Sequence, residues 1–274
     1  MYVANRAWKS LLNCILTGGQ PVEPQGSAGA MGRGTLELLS WQSAIWMNAP
    51  IITVPERKLS YRFMFAEAVW ILTGDNRVET IAPYAPKIAN YSDDGVTFFG
   101  AYGPAILAQL NYVIDKLTAD PLSRQAVITI WKQNPPNTKD TPCTIATQFL
   151  IRRNILFINH TMRSSDAWLG WVYDMFNFSM LGAYVAIALR RVYPDLKLGT
   201  ITLTAGSQHL YEPNKQPALE IVNSLRIAPV YPTFQIEEFK KPDELIEHLT
   251  LLRDEKYIEL KKESLNVEHI KKIS

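Results

Sequence analysis

Residues 162–176 read "MRSSDAWLGWVYDMF". Most of this stretch is apolar or aromatic, yet it carries Arg163, Asp166 and Asp174. A charge buried without a partner is expensive. These groups therefore sit at an exposed edge or are paired with something outside the chain, such as a ligand. The flanks differ in character. Upstream, "ILFINHTMR" (155–163) is a β-rich run that follows a turn at Arg153-Asn154. Downstream, residues 173–193 read as a long, mostly apolar helix.

Further out, more short β-rich runs appear at 125–131, 144–152 and 197–211, and 35–46 has the mixed apolar pattern of a strand. Residues 221–234 look extended. The opening segment places Trp8, Leu11, Leu12 and Ile15 on one helical face and stops at Gly18-Gly19, so it reads as an amphipathic helix and not as a leader. Residues 58–75 form a second helix with Glu67 in the middle of its apolar stretch, and 105–119 form a third. Residues 76–104 are irregular. From Lys241 the chain is charged and helical. Long helices mixed with clustered strands predict an α+β fold.

The chain has 274 residues, 47% of them apolar, and a net charge of +2. That suffices for a sizeable core and gives no sign of a nucleic-acid or membrane-surface protein. No apolar run is read as spanning a bilayer. Cys14 and Cys143 lack metal-site spacing, which argues against zinc or a disulfide framework and for a cytoplasmic protein.

Among single residues, Cys143 stands between Pro142 and a strand-like run, a loop–strand junction; a lone Cys is usually a small buried hydrophobe, and a nucleophile is the rarer reading. Arg124 and Arg163 suit an anion, since a guanidinium matches phosphate geometry, although either alone is more often a surface ion-pair residue. His209 and Tyr211 follow a strand, where a structural His is ordinary. Glu67 on an apolar face is odder, and points to a capped backbone or a site.

Together and in order, these pieces resemble the thymidylate synthase family. The resemblance runs over roughly residues 4–234, through "AEAVWILTGDN" (66–76), "GAYGP" (100–104), "DPLSR" (120–124), "PCTIATQF" (142–149), "RSSDAWLG" (163–170) and "SQHLY" (207–211). It implies a single α+β domain over 1–274, with a mixed sheet, flanking helices and a charged helical extension from about 238. It also implies a homodimer formed through the sheet, whose active site borrows an Arg from the partner. Cys143 is then the nucleophile and Glu67 the organiser of proton transfers. Arg163, Ser164, Arg124, His209, Tyr211 and Tyr102 bind the nucleotide, with Arg33 as the nearest candidate for the N-terminal loop Arg. Asp166, Gly170 and Trp70 lie toward the co-substrate, 5,10-methylenetetrahydrofolate. No metal, nucleic acid or membrane is implied.

The departures from the family pattern set the expected reaction. Where the dUMP methylases carry Asn at the end of the RSxD segment, this chain has Asp174. It has Thr144 after the nucleophile, Met162 before the RS pair and Ser207 in the GSQHLY turn. These changes resemble the deoxycytidylate hydroxymethylase branch, known from bacteriophage, so the expected compartment includes the cytoplasm of an infected host. Gln125 replaces the second Arg of the usual S-R-R, and Ile88 or Ala89 stands where many members carry Trp. Chemistry favours the same reading. Cytosine shows an N3 acceptor and an N4–H2 donor, which a carboxyl with a shared proton matches; an unmatched buried polar pair costs about 1–3 kcal/mol, roughly tenfold to a hundredfold in preference. The expected enzyme converts dCMP and water to 5-hydroxymethyl-dCMP. Alternatives are a reductive dCMP methylase, a CMP hydroxymethylase of nucleoside-antibiotic synthesis, and a non-enzymatic binding protein.

Overall fold

The computed structural model describes residues 3–23, 34–224 and 233–254. Seven α-helices are described: α1 (Ala4–Gly18), α2 (Tyr61–Leu72), α3 (Val78–Ile81), α4 (Tyr102–Ala119), α5 (Trp171–Leu189), α6 (Lys215–Asn223) and α7 (Pro242–Arg253). Six strands are described: β1 (Gln20–Val22), β2 (Thr35–Trp46), β3 (Val127–Thr129), β4 (Thr144–Arg152), β5 (Ile155–Asp166) and β6 (Lys197–Tyr211). They form one sheet in the order β1-β2-β6-β5-β4-β3. All pairs are antiparallel except β5 and β6, which run parallel and are joined through α5. The fold is α+β with a mixed sheet, as the sequence predicts.

Alternation along the strands explains the two faces. Leu156, Ile158, His160 and Met162 of β5 point inward with Ile201, Leu203 and Ala205 of β6 and Phe149 and Ile151 of β4. Fifteen of the nineteen residues of α5 are buried against this layer. Gly182 lets α5 approach closely, since a Cβ there would stand 2.7 Å from Met47 Sδ and 2.8 Å from Ile158 Cδ1. By length and composition α5 could cross a membrane, contrary to the expectation, but 78% of the qualifying window is buried in the fold, as in a core helix. The outward row, with Leu150, Ile155, Phe157 and Trp46, stays half-buried or exposed.

α1 buries the expected face of Trp8, Leu11, Leu12 and Ile15. Trp8 also donates its indole N–H to the Ala167 carbonyl at 2.7 Å. α2 starts at Ser60, whose hydroxyl accepts from Phe63 N–H, and stops before Gly74 at φ +73°.

One expectation is overturned. Residues 215–223, which include the start of the run read as extended, are helical. The β-branched Ile221-Val222 pair signals a strand locally, but Ala218 and Ile221 lie three apart on one buried helical face. Residues 225–232 lie outside the described residues, as do Arg33 and 255–274. The irregular stretch 76–104 contains only short helical turns before α4 begins at Tyr102, three residues earlier than expected.

The β4–β5 turn places Arg153 and Asn154 at φ +53° and +57°, the left-handed pair a type I′ hairpin needs. A left-handed non-glycine residue costs about 1–2 kcal/mol, less for Asn. Replacing the pair by Asn-Gly (Arg153→Asn with Asn154→Gly) is expected to stabilise the fold by about 1 kcal/mol. Chemical denaturation measures it, and a midpoint that fails to rise contradicts the strain assigned to Arg153.

Candidate active site

The C-terminal ends of the parallel strands carry the site. Register sets Ser164 beside Ser207 and Asp166 beside His209, and the antiparallel β2 brings Glu37 opposite His209. Ser164 Oγ lies 3.4 Å from His209 Nδ1, and Tyr211 meets the imidazole edge-on with centroids 5.1 Å apart. Glu37 accepts a 2.5 Å hydrogen bond from the Ser207 hydroxyl.

Asp166 ends β5. Its Oδ1 accepts from the Trp168 and Leu169 amides at 2.7 and 3.2 Å, closing the turn into α5. Its Oδ2 is buried without a hydrogen-bond partner among the described residues. Burial pushes this carboxyl up and the His209 imidazole down, while each partly offsets the other. Gly170 then caps α5, and its carbonyl accepts from Asp174 N–H at 2.9 Å. A Cβ at Gly170 would stand 3.2 Å from Asp174 Oδ2.

Asp174 is on the first turn of α5, as expected. Burial raises its carboxyl well above the ordinary range, and the nearby Glu67 and Asp166 charges raise it further. Glu67 projects from α2 and accepts from Asn177 Nδ2 at 2.7 Å. Burial pushes Glu67 up to about 7, against the lowering effect of that bond. Tyr102, at the start of α4, is raised well above its usual value by burial, with Cys143, Asp174 and Glu67 adding to the shift.

Cys143 immediately precedes β4, at the loop–strand junction the sequence indicates. The pairing of β4 with β5 shifts register between Thr144 and Ala146, a bulge beside the thiol. Arg163 donates to the Cys143 carbonyl through its backbone N–H at 2.8 Å, and its guanidinium donates to Pro142 O at 2.9 Å and Thr141 O at 2.8 Å. Burial dominates and raises the Cys143 thiol, while the Arg163 charge lowers it and partly offsets that rise.

The structure thus brings together Cys143, Glu67, Asp174, Asp166, Tyr102, Arg163, Ser164, His209, Tyr211 and Gly170. Trp70 is set differently: its ring meets Phe98 edge-on at 5.7 Å within an apolar cluster, and its buried indole N–H has no partner among the described residues. Arg124 is exposed in the turn before β3, and no described contact ties it to Cys143 in the same chain. Arg33 lies outside the described residues.

Three participants were not singled out from the sequence. Arg57 donates twice to Trp168 O, at 3.2 and 2.7 Å, and lies over the Trp168 ring at 4.9 Å. His160 is wholly buried, 2.9 Å from Thr147 Oγ1 and 3.5 Å from Thr144 Oγ1, stacked on Phe178, and burial lowers it to about 3. Asn177 binds Glu67. Only Asn177 had a usable signal, an amide one turn beyond Asp174 in an otherwise apolar helix. A separate cleft of about 590 Å³, lined by Asp93, Asp94, Phe99 and Lys132 among others, contains none of the site residues.

Unpartnered buried atoms on Asp166, Asn177 and Trp70 fit a polar ligand such as a folate or a pyrimidine. Among the described residues no group of three His, Cys, Asp or Glu side chains is placed to hold a metal ion.

Two curated phage proteins are similar to the chain in sequence. The chain is 30% identical over 175 residues to a deoxyuridylate hydroxymethyltransferase of Bacillus phage SP01, covering 57% of this chain and 44% of that protein. It is 30% identical over 167 residues to a protein of the same name from Pseudomonas phage M6, covering 57% and 46%. The match thus spans less than half the length of either relative. The family model described as thymidylate synthase matches residues 6–261, nearly the whole chain, and the chain belongs to the thymidylate synthase family.

Proposed function

We propose that the chain is a one-carbon transferase that hydroxymethylates C5 of a pyrimidine deoxynucleotide, with dCMP as the substrate. The observation that carries the choice of base is an acid, Asp174, in a buried place where burial first, and the nearby Glu67 and Asp166 charges second, favour its neutral form. A neutral carboxyl donates one hydrogen bond and accepts another. On cytosine it donates to N3 and accepts from N4–H2. A neutral carboxyl can also pair with N3–H and O4 of uracil, so the preference for cytosine rests on proton transfer to N3, which uracil, already protonated there, does not need. A second reading, dUMP, is favoured by the names of the two phage relatives.

In this reading Arg163 and Ser164 take the 5′-phosphate, and His209 and Tyr211 take the sugar. Cys143 adds to C6, giving up its raised proton as it does so, and Asp174 protonates near N3. Bound methylenetetrahydrofolate supplies the carbon at the oxidation level of formaldehyde. Glu67 exchanges protons near neutral pH, where a carboxyl with a value of about 7 is balanced between its two forms. Water enters in place of a hydride. The two unpaired cysteines suit a reducing compartment, the cytoplasm. The half-buried outward row with Leu150, Ile155 and Phe157 suits a sheet-to-sheet homodimer, and the exposed Arg124 suits a phosphate contact made across it.

The deciding experiment incubates the protein with methylenetetrahydrofolate and dCMP, CMP or dUMP, and reads products by mass spectrometry. Hydroxymethyl-dCMP is expected, and a methyl product or exclusive use of dUMP or CMP refutes the reading. Asp174→Asn should cut kcat/KM for dCMP by roughly a hundredfold and favour dUMP. Equal dCMP-to-dUMP ratios in the two proteins would remove Asp174 as the base reader.

Subunit sharing has its own signature. Inactive Arg124→Ala mixed with inactive Cys143→Ala should regain activity through one intact site per heterodimer. Proven subunit exchange without any return of activity rules sharing out.

The pH dependence follows from Glu67. If its ionised form is the active base, kcat/KM rises as pH passes upward through about 7. Stability runs the other way. Between the ordinary value of 4.5 and about 7 the folded chain holds a proton that the unfolded chain has lost, so stability falls as pH rises across that window. Glu67→Gln should therefore be more stable than wild type at pH 8, on the order of 3 kcal/mol at most. A wild type with equal stability at pH 5 and pH 8 relative to that variant contradicts the raised value.

A further inference from the structure

Asn177 is 2% exposed and sits on α5 one turn beyond Asp174. One end of its amide is committed, donating to Glu67 Oε2 at 2.7 Å. The other end, Oδ1, is buried with no hydrogen-bond partner among the described residues. An amide needed only to quiet Glu67 would be expected to have its oxygen paired as well, as buried polar groups generally are. Here the fixed donor and the unpaired acceptor lie beside the carboxyl that handles protons, on the turn of α5 that follows the base-reading residue.

We propose that Asn177 is a positioning residue: it holds the Glu67 carboxylate through its N–H and presents Oδ1 as acceptor to the water that hydrates the C5 substituent. The inference rests on the hydroxymethylation reading. In the step concerned the pyrimidine carries an exocyclic methylene at C5 and the Cys143 sulfur at C6. Water oxygen bonds to the methylene carbon, and one water proton passes to Glu67. The methylene π electrons move into the ring and expel the Cys143 thiolate as the C6–S bond breaks and C5=C6 re-forms. With its two protons directed at Glu67 and Asn177 Oδ1, the water turns a lone pair toward the carbon. An apolar residue at 177 would leave the water held by Glu67 alone, and Glu67 without its fixed donor.

Two variants of nearly the same shape test this, Asn177→Leu and Asn177→Asp. In the free protein, carbon NMR follows the titration of the Glu67 carboxyl. The midpoint near 7 should move upward in both variants, because the N–H that favours the ionised form is gone. In turnover with folate, C5-tritiated nucleotide and 2-mercaptoethanol, tritium release reports attack at C5, while the products report what captures the methylene. Asn177→Leu should yield at least tenfold less hydroxymethyl product per tritium released, with a thioether product taking its place, whereas Asn177→Asp, which keeps an acceptor oxygen there, should lose less. An unchanged product ratio together with an unchanged midpoint overturns the proposal, and a moved midpoint with an unchanged ratio overturns the water-holding part. A wild type that releases tritium but forms a methyl product refutes hydroxymethylation itself, a result separable from the titration.

Discussion

The parallel pairing of β5 with β6 is the constraint on which the site depends. Two parallel neighbours cannot be joined by a tight turn, so the chain has to leave the sheet, cross it and return. α5 is that crossing, and its apolar composition answers the need to lie over the middle of the sheet. The acids of β5 and α5 and the imidazole of His209 thereby gather at one end. Asp166 closes β5, Asp174 opens α5, and Ser207 and His209 close β6. Grooves beyond the carboxyl ends of parallel strands are where open sheets bind ligands. The antiparallel β4 adds Cys143 to that end because its N-terminus lies next to the last residues of β5.

The second determinant is crowding of acids. Glu67, Asp174 and Asp166 lie within electrostatic reach of one another in a poorly hydrated cleft. They cannot all ionise cheaply, so protons stay on the site. The same burial keeps Cys143 a thiol despite Arg163. The cleft is therefore poor in negative charge for the number of acids it holds, and the cation nearest to them in the chain, Arg163, stays exposed at its edge.

How much of this was legible beforehand depended on whether a residue's role was local. Strand alternation in 197–211 and the apolar face of α1 are repeated many times along the chain, and their elements appear where the sequence puts them. So does the junction at Pro142-Cys143. α6 was missed because a β-branched pair speaks for extension at short range, and only packing of Ala218 and Ile221 decides for helix. Arg57 and His160 were missed because their partners, Trp168 and Thr147, are set by tertiary placement. The state of Cys143 is hidden for the same reason: a basic residue can be read from the sequence, but the depth of the thiol, which raises it, cannot.

The bond from Trp8 to the Ala167 carbonyl ties the first helix to the loop that carries Asp166 and leads into Asp174. The partner loop is 159 positions away along the chain, so ordering it requires most of the polypeptide to be in place. During synthesis, α1 emerges well before the loop it is tied to. The end of the sheet that carries Asp166, Asp174 and His209 is then among the last parts to set, and the cluster of acids is completed in the same event that completes folding. A slow refolding phase sensed at Trp8 would be the kinetic trace of that long closure.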